Sequence, residues 1–147
     1  MATIQLPPDF KEFLKLLNSS KVEYLVIGGY AVNYYGFPRA TADLDIWIAI
    51  SPANAQRIAE ALQLFGFPQA NADVFQRERQ IVRIGVPPMR LEILTTISGV
   101  EFADCYARRS KVELDGVTLN LIQLDDLKRN KQASNRLKDR VDLEQLP

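Results

Sequence analysis

Apolar residues recur along this chain at two different spacings, and the spacing predicts which segments form helices and which form strands. Helical spacing over residues 9–18 and 52–65 predicts two amphipathic helices, the second of which starts after Ser51-Pro52 and ends at Gly66. Weaker helical patterns cover three further segments, which are residues 30–35, 101–107 and the chain from 125 onward.

Strands are predicted where short runs are rich in β-branched and aromatic residues. These runs are residues 24–27, 43–50, 81–86, 90–95, 111–114 and 117–121. Asp115-Gly116 lies between the last two runs, and this dipeptide favours the type I′ turn of a hairpin. The order of the elements predicts a single α/β (α+β) domain over residues 1–147, with helices packed on one sheet.

The scarcity of two residue types excludes whole classes of chemistry. The chain has no histidine, and Cys105 is its only cysteine, so His-dependent nucleophilic catalysis, zinc held by His or paired Cys, and an internal disulfide are excluded. Cys105 is expected in the core. The carboxylates, Lys, Arg, hydroxyls and backbone amides that remain suit nucleotidyl transfer assisted by a hard cation such as Mg²⁺.

Hydropathy and charge bear on where the protein works and what it binds. No apolar run approaches the roughly 20 residues that span a bilayer, and residues 1–8 lack the pattern of a signal peptide, so we expect a cytoplasmic protein without membrane contact. The net charge is zero, which argues against a plain nucleic-acid-binding domain.

Basic residues are concentrated near the C-terminus. In a continuous helix Lys128, Lys131 and Lys138 would lie near one side, whereas a break near Ser134 would destroy that alignment. Lys131 and Lys138 are the better candidates to bind a triphosphate or an acceptor nucleic acid. A solvated helix face is predicted for three arginines, which are Arg129, Arg136 and Arg140.

Two glycines and two acids occupy places where each residue type has a chemical use. Gly28-Gly29 follows the first predicted strand, and without side chains the backbone amides there can approach a phosphate at the start of the next helix. Asp43 and Asp45 open the second strand two positions apart, so both carboxylates lie on one face. Side by side they repel each other by roughly 4 kcal/mol at about 4 Å and an effective dielectric of about 20. A divalent cation would offset this repulsion, and we therefore predict a metal site here.

Three more residues extend the predicted site. Glu92 alternates with apolar neighbours on its strand, and if that strand pairs with the strand that carries the aspartates, the Glu92 carboxylate can reach the metal or accept a proton from an attacking hydroxyl. Thr41 lies just before the acids on the same face, and a functional role is predicted for it. Arg39 either binds phosphate or pairs with one of the two aspartates.

Several strings of residues resemble the signature of the DNA polymerase β-like nucleotidyltransferase superfamily. They are GGYA at 28–31, GFPRATADLD at 36–45, EILTTISGV at 92–100 and NKQASNRLKD at 130–139. The second string, with its R-x-T-x-D-L-D pattern, is closer to the small AbiEii-like bacterial branch of minimal nucleotidyltransferases.

The resemblance implies a fold, a reaction and residue roles. The fold is the nucleotidyltransferase fold, a mixed sheet flanked by helices. The reaction transfers an NMP from an NTP to an acceptor hydroxyl of RNA, tRNA, protein or a small molecule, as part of a toxin–antitoxin or defence system with a cognate partner. The implied catalytic residues, which also bind Mg²⁺ or Mn²⁺, are Asp43, Asp45 and Glu92. The predicted nucleotide-binding residues are Gly28, Gly29, Arg39, Thr41, Lys131 and Lys138.

A second hypothesis comes from places where the chain departs from the superfamily pattern. Gly29 stands where many members have Ser, and Glu92 stands where Asp is commoner. In this second hypothesis the chain is a non-catalytic interaction module with the same fold, within a toxin–antitoxin-type pair.

Overall fold

Six helices and six strands make up most of the regular structure in residues 4–36, 41–86 and 89–147, which are the residues described by this computed structural model. The helices are α1 (Pro8–Ser19), α2 (Gly28–Tyr35), α3 (Pro52–Phe65), α4 (Phe102–Ala107), α5 (Leu124–Ser134) and α6 (Leu137–Gln145). The strands are β1 (Tyr24–Ile27), β2 (Asp43–Ile48), β3 (Ile81–Ile84), β4 (Arg90–Leu94), β5 (Ser110–Leu114) and β6 (Val117–Leu121). A short 3-10 helix at Asp73–Gln76, which the sequence pattern did not predict, lies between α3 and β3. Within the described residues, no helix combines the length and the apolar character that crossing a bilayer requires.

All six strands belong to one mixed sheet, in the order β3-β4-β2-β1-β6-β5. β1 pairs antiparallel with β2 and parallel with β6, while β2 pairs parallel with β4. The outer pairs, β3 with β4 and β5 with β6, are antiparallel. Because β2 and β4 are parallel, the chain between them must cross back along the sheet, and α3 lies in that crossover. The predicted α/β fold class, with a mixed sheet flanked by helices, is confirmed.

Strand β2 has two chemically different faces because successive side chains point to opposite sides of the sheet. Leu44, Ile46 and Ile48 lie on one face and are fully buried. Asp43 and Asp45 lie on the other face and are only partly buried. Burial of the three aliphatic side chains fixes the orientation of β2, since a slip of one residue would move the carboxylates into the core.

The face of β2 that carries the acids becomes apolar further along the strand. Trp47 is 2% exposed and meets the ring of Phe102 edge-on, with 5.1 Å between ring centroids. Its Nε1 donates a hydrogen bond of 3.4 Å to the carbonyl oxygen of Thr95. The core position predicted for Cys105 is confirmed, since its side chain is buried.

Helix α3 shows why local signals predicted some elements well. Its first turn is capped by Ser51, whose hydroxyl accepts a 3.1 Å hydrogen bond from the Asn54 amide, and Gly66 ends it with a left-handed φ of 118°. Asn54 then ties the helix to the sheet, because its side-chain oxygen accepts from the Glu23 amide at 2.7 Å. Both ends of the predicted helix are therefore confirmed.

The C-terminal segment is not one continuous helix. Helix α5 ends at Asn135, which has a left-handed φ of 49°, and α6 begins two residues later. The alignment of Lys128, Lys131 and Lys138 along one helix is therefore not formed, and the alternative of a break near Ser134 is the one observed.

Candidate metal and nucleotide site

The three predicted acids meet on one face of the sheet. Asp45 on β2 lies directly beside Glu92 on β4, because the two strands pair in parallel with these residues in register. Asp43 lies two positions before Asp45 on the same face. One carboxylate oxygen from each residue lies within 4.8 Å of the others. The sequence placed Asp43 and Asp45 together by spacing alone, whereas the contact with Glu92 required the pairing of two distant strands.

The carboxylates strongly affect one another. The pKa of Asp45 is raised to about 7, first by burial and then by the negative charges of Glu92 and Asp43, while the positive charge of Lys138 acts in the opposite direction. Near neutral pH the site therefore retains a proton on Asp45 in part of the molecules, unless a cation replaces it.

Two arginines on neighbouring strands bind these carboxylates. Arg90 Nη2 lies 2.8 Å from Asp43 Oδ2 and 3.2 Å from Glu92 Oε1, so one nitrogen bridges two acids. Arg83 Nε lies 3.2 Å from the same oxygen of Glu92. Arg90 was not singled out by the sequence pattern, although its place two residues before Glu92 on the same strand face was a usable signal.

The acid triad fits a hard divalent cation. Three carboxylates provide the oxygen ligands that Mg²⁺ and Mn²⁺ prefer. Asp43 Oδ1 is buried and has no hydrogen-bond partner among the described residues, so one candidate ligand atom lacks the interaction that burial normally requires. The residues that would hold the ion are Asp43, Asp45 and Glu92.

Gly28 lies directly against Asp45 at the start of α2. Its φ is +69°, and a Cβ on this residue would overlap the Asp45 carboxylate. Gly29 follows in the first turn and is buried. Because α2 begins at Gly28 rather than at the predicted residue 30, both glycines belong to the helix N-terminus, where amides lack intrahelical partners and the dipole favours an anion.

Replacing Gly28 with Ala is expected to damage the site as well as the fold. The left-handed backbone costs a non-glycine residue about 1–2 kcal/mol, and the new methyl group must push Asp45 away from Glu92. Gly116→Ala is a matched control, because Gly116 has a similar φ of 82° but open space around its Cβ position. Both variants should melt a few degrees lower, but only Gly28→Ala should weaken Mn²⁺ binding in calorimetry. Equal Mn²⁺ affinity in the two variants would contradict this role of Gly28.

A cavity of about 680 Å³ opens above the acids, and bases outnumber acids in its lining. Its basic lining residues are Arg83, Arg90, Lys131, Arg136 and Lys138. Lys138 was predicted here from the sequence. Arg136 was assigned to a solvated helix face, and its side chain is 63% exposed as expected, but it also lines this cavity at the start of α6. Cations around three acids suit a triphosphate that arrives with its metal.

Lys131 lines the same cavity, but its ammonium group is already engaged. Lys131 Nζ lies 3.2 Å from Asp139 Oδ1 and 3.0 Å from Asp142 Oδ2, and all three side chains are 4% exposed or less. Burial alone would raise the pKa of Asp139, but hydrogen bonds from Arg136 and Ser134 and the charge of Lys131 hold that pKa well below its usual range. Direct contact between Lys131 and a nucleotide stays a prediction, and it would require the ammonium to leave these carboxylates.

Thr41 is the last predicted site residue that the structure describes. The Thr41 hydroxyl donates to the carbonyl oxygen of Asp43 at 3.5 Å, just before β2 begins. Thr41 is half-buried, and nucleotide contact stays a prediction for it. Arg39 lies outside the described residues.

Comparison with solved structures identifies the architecture. No protein-family model matches the sequence, and no curated protein matches it either. The fold is similar to that of a candidate nucleotidyltransferase from Thermotoga maritima, with a TM-score of 0.59 over 95% of this chain and 91% of that one, at 16% sequence identity. It is also similar to an antigenic nucleotidyltransferase-like protein from Paracoccidioides brasiliensis, with a TM-score of 0.55 over 92% of this chain and 70% of that one, at 15% identity. The chain has the nucleotidyltransferase fold. At these identities the likeness concerns the fold alone.

In this nucleotidyltransferase fold a second cavity, of about 920 Å³, shares Thr96 and Ile97 with the cavity above the acids. Arg108 and Arg129 reach it from α4 and α5, and each lies 2.9 Å from the fully buried carboxylate of Asp126. The charged residues of its lining are the acids Glu78, Glu101, Asp104 and Asp126 and the bases Arg79, Arg108 and Arg129. Acids thus outnumber bases in this second cavity, in contrast to the first.

Proposed function

We propose that the protein is a metal-dependent nucleotidyltransferase that transfers an NMP from an NTP to an acceptor hydroxyl and releases pyrophosphate. The observation that carries this proposal is the acid triad, with one oxygen from each carboxylate within 4.8 Å of the others, in a cavity whose lining has more bases than acids. The fold is consistent with this reaction, and the spacing of the acids suits cations that stabilise an in-line displacement at phosphorus.

Each acid has a distinct place in the proposed reaction. Asp43 and Asp45 would hold a divalent ion, Mg²⁺ or Mn²⁺, which would polarise the phosphoryl oxygens and activate the attacking hydroxyl. Glu92 would complete the ligand set. Its second proposed role, accepting the proton of the hydroxyl, requires that Arg83 and Arg90 loosen their contacts with Glu92 Oε1.

The triphosphate would lie between the glycine pair and α6. The amides of Gly28 and Gly29 can donate to phosphate oxygens at the N-terminus of α2. Lys138 and Arg136 also line the cavity and would neutralise the phosphates. Thr41, Arg39 and Lys131 remain proposed nucleotide-binding residues.

The acceptor would enter from the second cavity, which shares Thr96 and Ile97 with the cavity above the acids. Its charged lining is nearly balanced, because Asp126 is fully buried and paired with Arg108 and Arg129, which leaves three other acids beside three bases. The acceptor hydroxyl can therefore belong to RNA, tRNA, a protein or a small molecule.

The assignment to the AbiEii-like branch and a place in a toxin–antitoxin or defence pair, with a cognate partner in the cytoplasm, are also part of the proposal. They are supported by the resemblance of the sequence strings, above all residues 36–45.

The proposal is tested by incubating the purified protein with labelled NTPs, Mg²⁺ and separate pools of bacterial protein, RNA and small metabolites. Label is expected in one of the three pools, and that pool identifies the class of acceptor. Lys138→Met should weaken NTP binding by roughly tenfold, the equivalent of about 1.4 kcal/mol for one lost charged contact. Lys128→Met is the matched control, because Lys128 does not line the cavity.

Two outcomes of this experiment would contradict the proposed function. No labelled product in any pool, together with no NTP binding by calorimetry, would overturn the proposed function. Silent transfer assays combined with recovery of a stoichiometric partner would instead favour the non-catalytic interaction module.

A further inference from the structure

We infer that Arg90 occupies the place of a cation in the metal-free site, and that metal binding transfers its guanidinium from the carboxylates to the triphosphate. This inference rests on the metal site of the proposed function. It adds a residue whose interactions change during binding and which couples the metal to the nucleotide.

The geometry of Arg90 resembles that of a bridging cation. Its Nη2 contacts Asp43 Oδ2 at 2.8 Å and Glu92 Oε1 at 3.2 Å, which are two of the three candidate ligands. The register of the sheet puts it there, because Arg90 is the direct partner of Asp43 in the pairing of β2 with β4. A guanidinium nitrogen between two ligand oxygens excludes a metal from the same space.

The interactions of Arg90 are incomplete in this position. Its Nε is buried and lacks a hydrogen-bond partner among the described residues, and Asp43 Oδ1 lacks one as well. The two atoms belong to an ion pair joined only through Arg90 Nη2 and Asp43 Oδ2. A metal on Asp43 and phosphate oxygens on Arg90 would satisfy both groups better than they satisfy each other.

The cavity beside Arg90 has room for its guanidinium in a second position. Its side chain is 30% exposed and lines the cavity proposed for the triphosphate. Rotation of the guanidinium away from Asp43 would present its donors to phosphate oxygens, which match its planar fork. A metal ion that arrives with the nucleotide would repel Arg90 from the carboxylates while the phosphates attract it.

Arg83 provides an internal comparison. It contacts Glu92 through the same oxygen but is not paired with Asp43, and its side chain is 54% exposed. Removing Arg83 therefore deletes an equal charge near the acids without deleting the bridge.

The first measurement is Mn²⁺ affinity of the whole chain without nucleotide, for the wild type, Arg90→Met and Arg83→Met. Arg90→Met should bind Mn²⁺ at least roughly tenfold more tightly than the wild type, because the competing cation is gone. Arg83→Met should stay within roughly threefold. Arg90→Gln, which keeps a hydrogen-bond donor without the charge, covers the case in which the Met variant folds poorly.

The second measurement distinguishes a guanidinium that moves from the carboxylates to the phosphates from one that stays in place and acts only through its charge. The affinity for a non-hydrolysable ATP analogue should fall in Arg90→Met when Mg²⁺ is present and remain unchanged in EDTA. Equal losses under both conditions, or no gain in Mn²⁺ affinity, would overturn the inference while leaving the metal site intact. If the wild type and all variants fail to bind Mn²⁺, the metal site of the proposed function fails, and the inference fails with it.

Discussion

Asp45→Asn should abolish nucleotidyl transfer while making the metal-free protein more stable at pH 8. Activity should fall by roughly a thousandfold or more, since the variant loses the charge of a central metal ligand. The gain in stability has a separate cause. The carboxylate is buried beside Glu92 and Asp43, so its ionised form is unfavourable in the folded state.

The pH dependence of that gain follows from the raised pKa. Because the pKa of Asp45 is about 7 in the folded chain and near 3.8 when unfolded, this group favours folding below about pH 4, and the contribution is lost progressively as the pH rises from about 4 to 7. Asp45→Asn has no carboxyl group at this position, so its stability lacks this pH dependence. Its melting temperature should match that of the wild type below about pH 4 and exceed it at pH 8 by roughly 4–16 °C, for a contribution on the order of 2–4 kcal/mol.

Thermal melts in EDTA across about pH 3.5 to 8 check the change in stability, and transfer assays check the loss of activity. Asp73→Asn is the control, because Asp73 is exposed and does not line the cavity. A loss of stability at pH 8 in Asp45→Asn would contradict the account of the apo site. Excess Mn²⁺ should reverse the order of the melting temperatures, since only the wild type gains from binding the ion.

Lys131→Met should lower the free energy of unfolding by about 3 kcal/mol. The ammonium group is buried between Asp139 and Asp142, so its removal leaves two buried carboxylates without their shared cation. For a chain of this length the melting temperature should fall by roughly 6–12 °C at pH 7. The difference should shrink at low pH, because loss of the ammonium charge raises the pKa of Asp139 in the variant, whereas Lys131 helps to keep that pKa low in the wild type.

The same variant distinguishes two roles for Lys131. If Lys131 holds α6 in place, NTP affinity should fall together with stability, because α6 carries Lys138. Lys128→Met on the same helix is the control and should change stability by less than about 1 kcal/mol. A large loss of NTP affinity with unchanged stability would instead assign Lys131 direct contact with the nucleotide.

Local patterns in the sequence predicted the parts of the site that depend on neighbouring residues. The cap at Ser51 and the stop at Gly66 defined α3, and the two-residue spacing of Asp43 and Asp45 put both on one strand face. These features need only backbone geometry within a few residues. For that reason a single sequence was enough.

Contacts between distant segments were predicted less well. Arg90 meets Asp43 from 47 residues away, and its role depends on a parallel strand pairing that no local signal specifies. Lys131 was interpreted as a ligand-binding charge because the sequence does not reveal that Asp139 and Asp142 enclose it. The place of Arg136 in the cavity lining was missed for the same reason, since it depends on how α5 and α6 are joined at Asn135.

The parallel pairing of β2 with β4 also determines where the chain can change in length. The site depends on Glu92 lying opposite Asp45, and nothing in the acid triad depends on how many residues lie between the strands. Insertions in the surface stretch 67–72 should therefore leave metal binding intact, whereas one residue inserted between Arg90 and Glu92 would turn the carboxylate to the other face of the sheet. Proteins that share this site can thus differ widely in the size of the crossover while keeping the spacing within each strand.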